Sequence, residues 1–341
     1  LSAFAQTTVP ATGTIAPVPP TLTNPSLECS VGYEDGEGND RVPAGWTAIQ
    51  LDGNPRLHST RELVYDDVCD PSDARHVEKL EFEDSLMIAS QNIETPPTPG
   101  KPFDVAILQQ TDVVSGADYS VSSWMVSLCG GSSTPSDCPD DYYMTKMLGL
   151  DPTGGVDPES DDVVWVENRD NFVEVDGVTR IGWSNLRSSS VAISETMTIF
   201  ARIDSPFQWH GNHAFVDAMK MVRAPAAGFV DLPESVIGTQ LPITWTAIQS
   251  PDVTAIPGST HALLIDLQTR PQDGEWRDLL VGAQLPDGEI QAHTNFSARC
   301  VNITYEFRIR ARAEQPPADV GGEGASPNHR FPGSWRASSP I

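Results

Sequence analysis

The sequence is poor in basic residues and has no long apolar run. Its 341 residues contain no stretch of about 18 consecutive apolar residues, so no membrane-spanning helix is predicted. Lys and Arg number 21 against 47 Asp and Glu, which gives a net charge of −26. Binding to nucleic acid needs a basic surface, so this charge argues against nucleic acid as a partner. The acidic excess favours solubility, and acidic loops could also bind cations.

Sequence signatures of catalysis are missing as well. The chain has no G-x-S-x-G, H-E-x-x-H, P-loop or G-x-G-x-x-G pattern. A glycosidase-like pair of carboxylates is left open by so many acidic residues. His210 and His213 form an H-x-x-H pair in a loop, but no third metal ligand is evident, so loop packing is expected there. The sequence therefore predicts a protein that is not an enzyme.

The cysteines are few and do not have the spacing of a zinc site. Cys129 and Cys138 bracket a short Gly- and Ser-rich loop, and we expect a disulfide between them. A second disulfide is predicted between Cys29 and Cys69, which leaves Cys300 unpaired. The alternative is that all five are reduced thiols in the core.

Proline and glycine, at 29 and 26 residues, favour a turn-rich, all-β protein. Residues 1–23 are rich in Pro and Thr and predict an extended N-terminal tail. Residues 225–227 are expected to be a linker, and residues 316–341 a second, Pro- and Gly-rich tail. The first residues look like the small-residue end of a secretory signal, which predicts an extracellular or cell-surface location.

Short strands separated by turn signals indicate a β-sandwich or jelly roll between the first tail and the linker. Alternation in residues 196–203 predicts that Met197, Ile199, Ala201 and Ile203 point inward. In residues 117–128 the apolar positions change parity, which predicts a bulge near Ser122-Ser123. The other strands are expected at residues 103–110, 142–150, 163–167, 172–175 and 191–193.

Asp217 stands out in the predicted strand at residues 214–222. Its parity places it on the same face as Phe215, Met219 and Met221. A carboxylate on an apolar face is costly without a partner, and no Lys or Arg is nearby on that face. A bound cation would resolve the cost, and calcium suits a carboxylate site. The alternative is that Asp217 accepts hydrogen bonds from backbone amides.

Residues 24–224 contain three motifs whose order along the chain is similar to that of a known family. Asn24-Pro25-Ser26-Leu27-Glu28 opens the region, Val42-Pro43-Ala44-Gly45-Trp46 follows, and a Gly-Leu-Asp-Pro-Thr-Gly-Gly turn begins at Gly149. Together with the late Asp217 strand, this order resembles the galactose-binding-like jelly rolls of carbohydrate-binding modules. The resemblance implies that Glu28 and Asp217 share a structural calcium, which ties the first strand to the last.

Residues 228–315 resemble a fibronectin type III or related immunoglobulin-like sandwich. The resemblance rests on Ile243-Thr244-Trp245-Thr246 and on the strand that begins Thr304-Tyr305-Glu306. Alternation in that second strand predicts a buried and an exposed face. The inward residues are Tyr305, Phe307, Ile309 and Ala311, and the outward residues are Arg308, Arg310 and Arg312.

Tryptophans in polar surroundings are candidates for stacking on a sugar ring. Trp183 and Trp209 are the preferred exposed pair, and Arg180 and Asn185 could hydrogen-bond to hydroxyl groups. Tyr119, Trp124 and Trp165 are further stacking candidates. Any of these aromatic residues could instead belong to the core.

Two functions from different classes follow from these patterns. The first is a secreted, non-catalytic surface protein whose jelly roll binds glycan and whose fibronectin-like domain acts as a spacer or docking unit. The second is a structural subunit of an extracellular filament, sheath or surface layer, in which copies associate through their tails. If residues 1–23 pack only on their own chain, the second function loses its main support.

Overall fold

The structure is a computed structural model that describes most of the chain. The described residues are 19–36, 40–60, 80–89, 102–128, 144–169, 172–175, 178–206, 213–230, 232, 240–253, 263–284, 291–298, 303–315 and 329–338. They form an all-β protein, and none of them lies in a helix. Accordingly, none lies in a helix long and apolar enough to cross a membrane.

The strands are numbered in chain order and belong to two units. The first unit contains β1 (Tyr33–Asp35), β2 (Arg41–Pro43), β3 (Thr47–Asp52), β4 (Arg56–Ser59), β5 (Leu86–Ala89), β6 (Phe103–Asp112), β7 (Asp118–Leu128), β8 (Thr145–Asp151), β9 (Val164–Asn168), β10 (Phe172–Val175), β11 (Val178–Ile181), β12 (Ser184–Val191), β13 (Thr196–Ser205) and β14 (His213–Arg223). The second contains β15 (Ala226–Phe229), β16 (Gln240–Ile248), β17 (Leu263–Pro271), β18 (Arg277–Gln284), β19 (Gln291–Ser297), β20 (Tyr305–Gln315), β21 (His329–Pro332) and β22 (Arg336–Ala337).

The first unit is a sandwich of two five-stranded antiparallel sheets. Sheet A has the order β12-β7-β14-β5-β4, and sheet B has the order β3-β6-β13-β8-β9. The hairpins β1–β2 and β10–β11 form separate small sheets. The main core lies between the inner faces of sheets A and B, because alternate residues of each strand are apolar and point to the same side. The predicted inward residues of β13, Met197, Ile199, Ala201 and Ile203, are all buried there, which confirms that prediction.

Residues 19–23, predicted to belong to a tail, pack instead on the first unit. The Thr23 N–H donates to Gln109 Oε1 at 2.6 Å, and Gln109 Nε2 donates to the Thr23 carbonyl at 3.0 Å. Thr111 Oγ1 donates to the Thr21 carbonyl at 3.2 Å, and Leu22 packs against the core. Residues 1–18 lie outside the described residues.

The bulge expected in β7 lies across from it, in β14. Asp217 pairs with Trp124 and Lys220 pairs with Ser122, so β14 has one extra residue here. Ala218 lies in the bulge and has a positive φ of 50°. The strand changes faces at this point, which corrects the expectation that Asp217 shares a face with Met219 and Met221.

The side-chain directions follow from this bulge. Met219 and Met221 point into the core between the sheets. Phe215, two residues before Asp217, belongs to a separate apolar cluster on the outer face of sheet A. The parity change read in β7 has a different cause, because that strand is apolar on both faces. Its Val121 is in the main core, and its Val126 is in the outer cluster.

The second unit is a smaller sandwich with its own core. Sheet C has the order β15-β16-β19, and sheet D has the order β18-β17-β20-β21, with β22 also paired to β20. Ile243, Trp245, Ile265, Phe307 and Ile309 are buried between them. The predicted inward face of β20 is confirmed, because Ala311 is also in this core and Tyr305 packs against it.

The expected linker and second tail are partly replaced by strands. Ala226 and Ala227 already belong to β15 and pair with β16. Residues 329–332 and 336–337, expected in a tail, form β21 and β22 and pair with β20. The second unit therefore extends beyond the predicted end at residue 315.

The two units contact each other directly. Val222 of β14 packs with Val253, Ala313 and Phe331 of the second unit in a buried cluster. Arg223 also forms an ion pair with Asp252, whose carboxylate lies 2.8 Å from the guanidinium.

Candidate functional site

Asp217 is fully buried and is held by backbone amides. Its Oδ2 accepts hydrogen bonds from the N–H groups of Leu80 at 2.8 Å and Glu81 at 2.9 Å, and its Oδ1 accepts one from Ala218 at 2.6 Å. Burial raises the pKa of this carboxyl well above its usual range. The three N–H bonds lower the pKa and oppose that effect, while the nearby charge of Glu81 adds to it.

Glu28 contacts the same short segment as Asp217. Its two carboxylate oxygens accept hydrogen bonds from the N–H groups of Asp84 at 3.2 Å and Glu83 at 3.3 Å. The Met219 N–H donates to the Pro25 carbonyl at 2.8 Å, so the opening segment lies beside β14. Within the described ranges, no group of three or more His, Cys, Asp or Glu residues is arranged to hold a metal. The calcium site at Glu28 and Asp217 stays a prediction.

Several predicted site residues lie outside the part of the chain that the structure describes, and one is described only by its backbone. Cys29 is disulfide-bonded, but Cys69, Cys129, Cys138 and Cys300 are not among the described residues. Both predicted pairings therefore stay predictions. Trp209 and His210 also lie outside, and Arg180 is described only through the backbone of β11.

The outer face of sheet A carries an apolar cluster of its own. Phe215 of β14 lies opposite Met87 of β5 on one side and Val126 of β7 on the other. These three side chains and Ala89 are buried, and Trp183 packs against them half-buried. An antiparallel sandwich commonly has polar outer faces, whereas here the four apolar side chains are buried.

The edge strand of sheet A places three different functional groups on this outer face. Trp183, just before β12, is followed at alternate positions by Asn185 and Arg187, while Leu186 between them points into the core. Trp124 of β7 lies directly opposite Asn185. These four half-buried residues, Trp124, Trp183, Asn185 and Arg187, are called the outer-face site below.

Asn185 is fixed by the neighbouring strand. Its Nδ2 donates to Ser122 Oγ at 2.8 Å and, more weakly, to the Ser123 carbonyl at 3.3 Å. Its Oδ1 is buried and has no hydrogen-bond partner within the described part of the chain. A buried acceptor without a partner is destabilising by about 1–3 kcal/mol.

The structure separates the other aromatic candidates from this site. Tyr119 is buried in the main core, and its hydroxyl oxygen accepts the Val114 N–H at 2.9 Å. Trp165 lies on the outer face of sheet B, 5.7 Å from the Phe200 ring.

The sequence analysis named Trp183 and Asn185, which the structure places on one face, and did not name Arg187 beside them. The signal was the alternation of Trp183, Asn185 and Arg187 around the apolar Leu186. It was hidden because the rest of β12 is mostly serine.

Comparison with known proteins shows no family for this chain. No family model matches the sequence, and no curated protein matches it. Similar solved structures include the carbohydrate-binding module TmCBM61 in complex with β-1,4-galactotriose, at 14% identity and a TM-score of 0.33, covering 59% of this chain and 97% of that one. A cleaved adhesin domain of Lys-gingipain from Porphyromonas gingivalis has 10% identity and a TM-score of 0.33, with coverage of 53% and 91%. The adhesin domain of Epf from Streptococcus pyogenes has 10% identity and a TM-score of 0.27, with coverage of 86% and 91%.

Similarities this low carry no functional argument. The fold class rests on the chain's own strands, which define an all-β protein built from two β-sandwiches.

Proposed function

We propose that this chain is an extracellular, non-catalytic glycan-binding protein and that the glycan lies on the outer-face site of sheet A. The observation that carries the proposal is the edge strand β12, which presents an indole, an amide and a guanidinium side by side, with a second indole opposite. The order of motifs that resembles carbohydrate-binding modules adds support.

The chemistry of the four residues suits a sugar. Indole rings stack on the apolar faces of sugar rings, and amide and guanidinium groups hydrogen-bond to the hydroxyl groups at the rim.

The second unit fits a spacer or docking role. Its three strands in sheet C face the order β18-β17-β20-β21 in sheet D, to which β22 is added beside β20, and this arrangement supports the proposed fibronectin-like domain. The alternative is a subunit that assembles through its tails, and only parts of those tails are described. Residues 19–23 pack on their own chain, and residues 329–337 complete sheet D.

A glycan array followed by isothermal titration calorimetry tests this function in the full chain. We expect Trp124→Ala and Trp183→Ala each to weaken binding by about tenfold, because each removes a stacking surface. Trp165→Ala is the matched control, since Trp165 lies on the other sheet and should leave the affinity unchanged. Thermal unfolding of each variant verifies that it is folded. Failure of every glycan to bind, or an equal loss with Trp165→Ala, would contradict the proposal.

A further inference from the structure

A group of arginines lies on the outer face of sheet D. Arg310 Nε is 2.9 Å from Asp266 Oδ2, and Arg312 Nε is 2.9 Å from the same oxygen without alignment for a hydrogen bond. Asp266 also accepts the Gly282 N–H at 3.0 Å, so its carboxylate is already shared. Glu314 is shared too, because its Oε1 lies 3.5 Å from Arg312 Nη1 and 3.4 Å from Arg330 Nε.

Arg187 of the outer-face site joins this group where the two units meet. Strand β12 packs against β21, which carries Arg330. No described residue forms an ion pair with Arg187. Burial, followed by the positive charges of Arg330, Arg312 and Arg310, lowers the pKa of Arg187, although a guanidinium stays protonated at neutral pH. The arginine group, Arg187, Arg310, Arg312 and Arg330, therefore has four cations around two carboxylates, in a protein whose net charge is −26.

Stacked tryptophans continue this cationic surface along sheet D. Arg310 and Arg308 both lie 4.5 Å from the centre of the Trp335 ring. Arg308 also lies 4.4 Å from the centre of the Trp276 ring, and Arg270 lies 4.5 Å from the centre of the same ring. Stacking on an indole holds a guanidinium flat, with its N–H groups at the edge. Arg270 uses its edge for Glu306, and Arg308 uses Nε for Gln268.

We propose that the glycan site continues from sheet A across the boundary onto the arginine group, and that its ligand is an anionic polysaccharide bearing carboxylate or sulfate groups. This inference rests on the proposed function. Arg187 belongs to both surfaces, and the strand rise places it about 13 Å along β12 from Trp183, which is a span for several sugars rather than one.

The charge pattern favours a glycan over other polyanions. Carboxylate and sulfate groups accept paired hydrogen bonds from the planar fork of arginine, and a bound anion would relieve the repulsion among the four guanidinium groups. Nucleic acid needs a broad basic surface, which a strongly acidic protein does not offer. A second copy of this chain could also present carboxylates, and the experiment below separates that case.

Titration calorimetry of the full chain against matched polysaccharides tests the inference. One pair is polygalacturonate and its methyl ester, and the other is dextran sulfate and dextran, so the two arms distinguish carboxylate from sulfate. We expect at least one anionic member to bind about tenfold more tightly than its neutral partner at low salt, with the difference reduced at high salt.

Substitutions then locate the anion. Arg330→Gln should weaken the anionic ligand several-fold and leave binding of the neutral partner within about twofold. Arg187→Gln removes a guanidinium of the outer-face site, so it should weaken both ligands, and the anionic one more strongly. Trp183→Ala should weaken both members of the pair. Arg41→Gln is the matched control, because Arg41 pairs with Asp35 in the β1–β2 hairpin, away from the arginine group.

Each of the other possible outcomes contradicts a specific part of the inference or of the proposed function. Equal affinity for charged and neutral members, unaffected by Arg330→Gln, removes the anionic ligand but leaves the proposed function standing. Absence of any polysaccharide binding removes both. Anion binding that Trp183→Ala leaves intact indicates a general polyanion surface and contradicts a continuous site. Self-association in sedimentation that Arg187→Gln abolishes, without glycan binding, assigns the arginine group to a second copy.

Discussion

Single buried polar residues hold the opening segment of the chain against the first sandwich. Tyr33 Oη donates to the Leu27 carbonyl at 2.7 Å, close to the carboxylates of Glu28 and Asp217. Burial first, and then the charges of Asp84, Glu28 and Asp217, raise the pKa of Tyr33 well above its usual value. The hydroxyl group therefore stays protonated in the folded protein at pH values where a free tyrosine ionises.

Tyr33→Phe should destabilise the protein by about 1–3 kcal/mol near pH 8, because it leaves the buried Leu27 carbonyl without its donor. The loss should shrink above pH 10. A tyrosine with a raised folded pKa contributes stability below its unfolded pKa of about 10 and loses it as the pH rises towards the folded pKa, whereas phenylalanine does not titrate. Urea unfolding of both proteins at pH 8 and pH 10.5 measures this. A difference that grows with pH would contradict the assignment.

The proposed calcium at Glu28 and Asp217 also depends on single buried residues. If calcium is bound, a chelator should lower the unfolding temperature of the wild type by several degrees and leave Glu28→Gln almost unchanged. Differential scanning fluorimetry with calcium or chelator checks this. No response in the wild type would mean that hydrogen bonds, including those from the backbone amides of Leu80, Glu81 and Ala218 to Asp217, stabilise the two carboxylates without calcium.

Strand β14 decides which residues face the core and which face outward. Its bulge at Ala218 turns Met219 and Met221 inward and leaves Phe215 on the outer face. Ala218 has a φ of 50° and is fully buried, so the position restricts both backbone and side chain.

Ala218→Gly should stay within about 1 kcal/mol of the wild type, because glycine adopts this conformation without strain. Ala218→Val should lose more than about 2 kcal/mol, since a β-branched residue is strongly disfavoured at positive φ and has no space here. Denaturant unfolding of the two variants gives the comparison. Equal tolerance of valine and glycine would argue against a bulge at this residue.

Individual strands show what the sequence could and could not predict. Strand β13 was predictable because its inward residues alternate without interruption over one apolar face. Strand β12 was not, because Leu186 is nearly alone among serines, and only two of the four residues of the proposed site on its outer face were in the preferred set of ligand-binding residues. The bulge in β14 carries no glycine as a signal. The outward arginines of β20 were predicted, but their stacking on Trp276 and Trp335 depends on tertiary packing that no local pattern encodes.

At the scale of the whole molecule, the two sandwiches form a common interface. The buried cluster of Val222, Val253, Ala313 and Phe331 is reinforced by Arg223, whose backbone N–H and guanidinium both donate to Asp252. A fixed interface is required if one ligand is to contact both Trp183 of the first unit and Arg330 of the second.

A double-mutant cycle on Arg223→Gln and Asp252→Asn measures this interface in solution. We expect a coupling energy of about 0.5–3 kcal/mol, because both partners are largely buried and in direct contact. The free energies of unfolding of the wild type, the two single variants and the double variant supply it. Additive effects would show that the units do not hold this contact in solution.

The location of the glycan can be measured most directly from the indole N–H signals of the full chain. Nuclear magnetic resonance spectra are recorded with and without a glycan identified on the array, and Trp→Phe variants assign the signals. Binding on the outer face of sheet A should shift the signals of Trp124 and Trp183 and leave those of Trp165 and Trp245 in place. Shifts confined to Trp165, with Trp124 and Trp183 unchanged, would contradict a glycan site on that face.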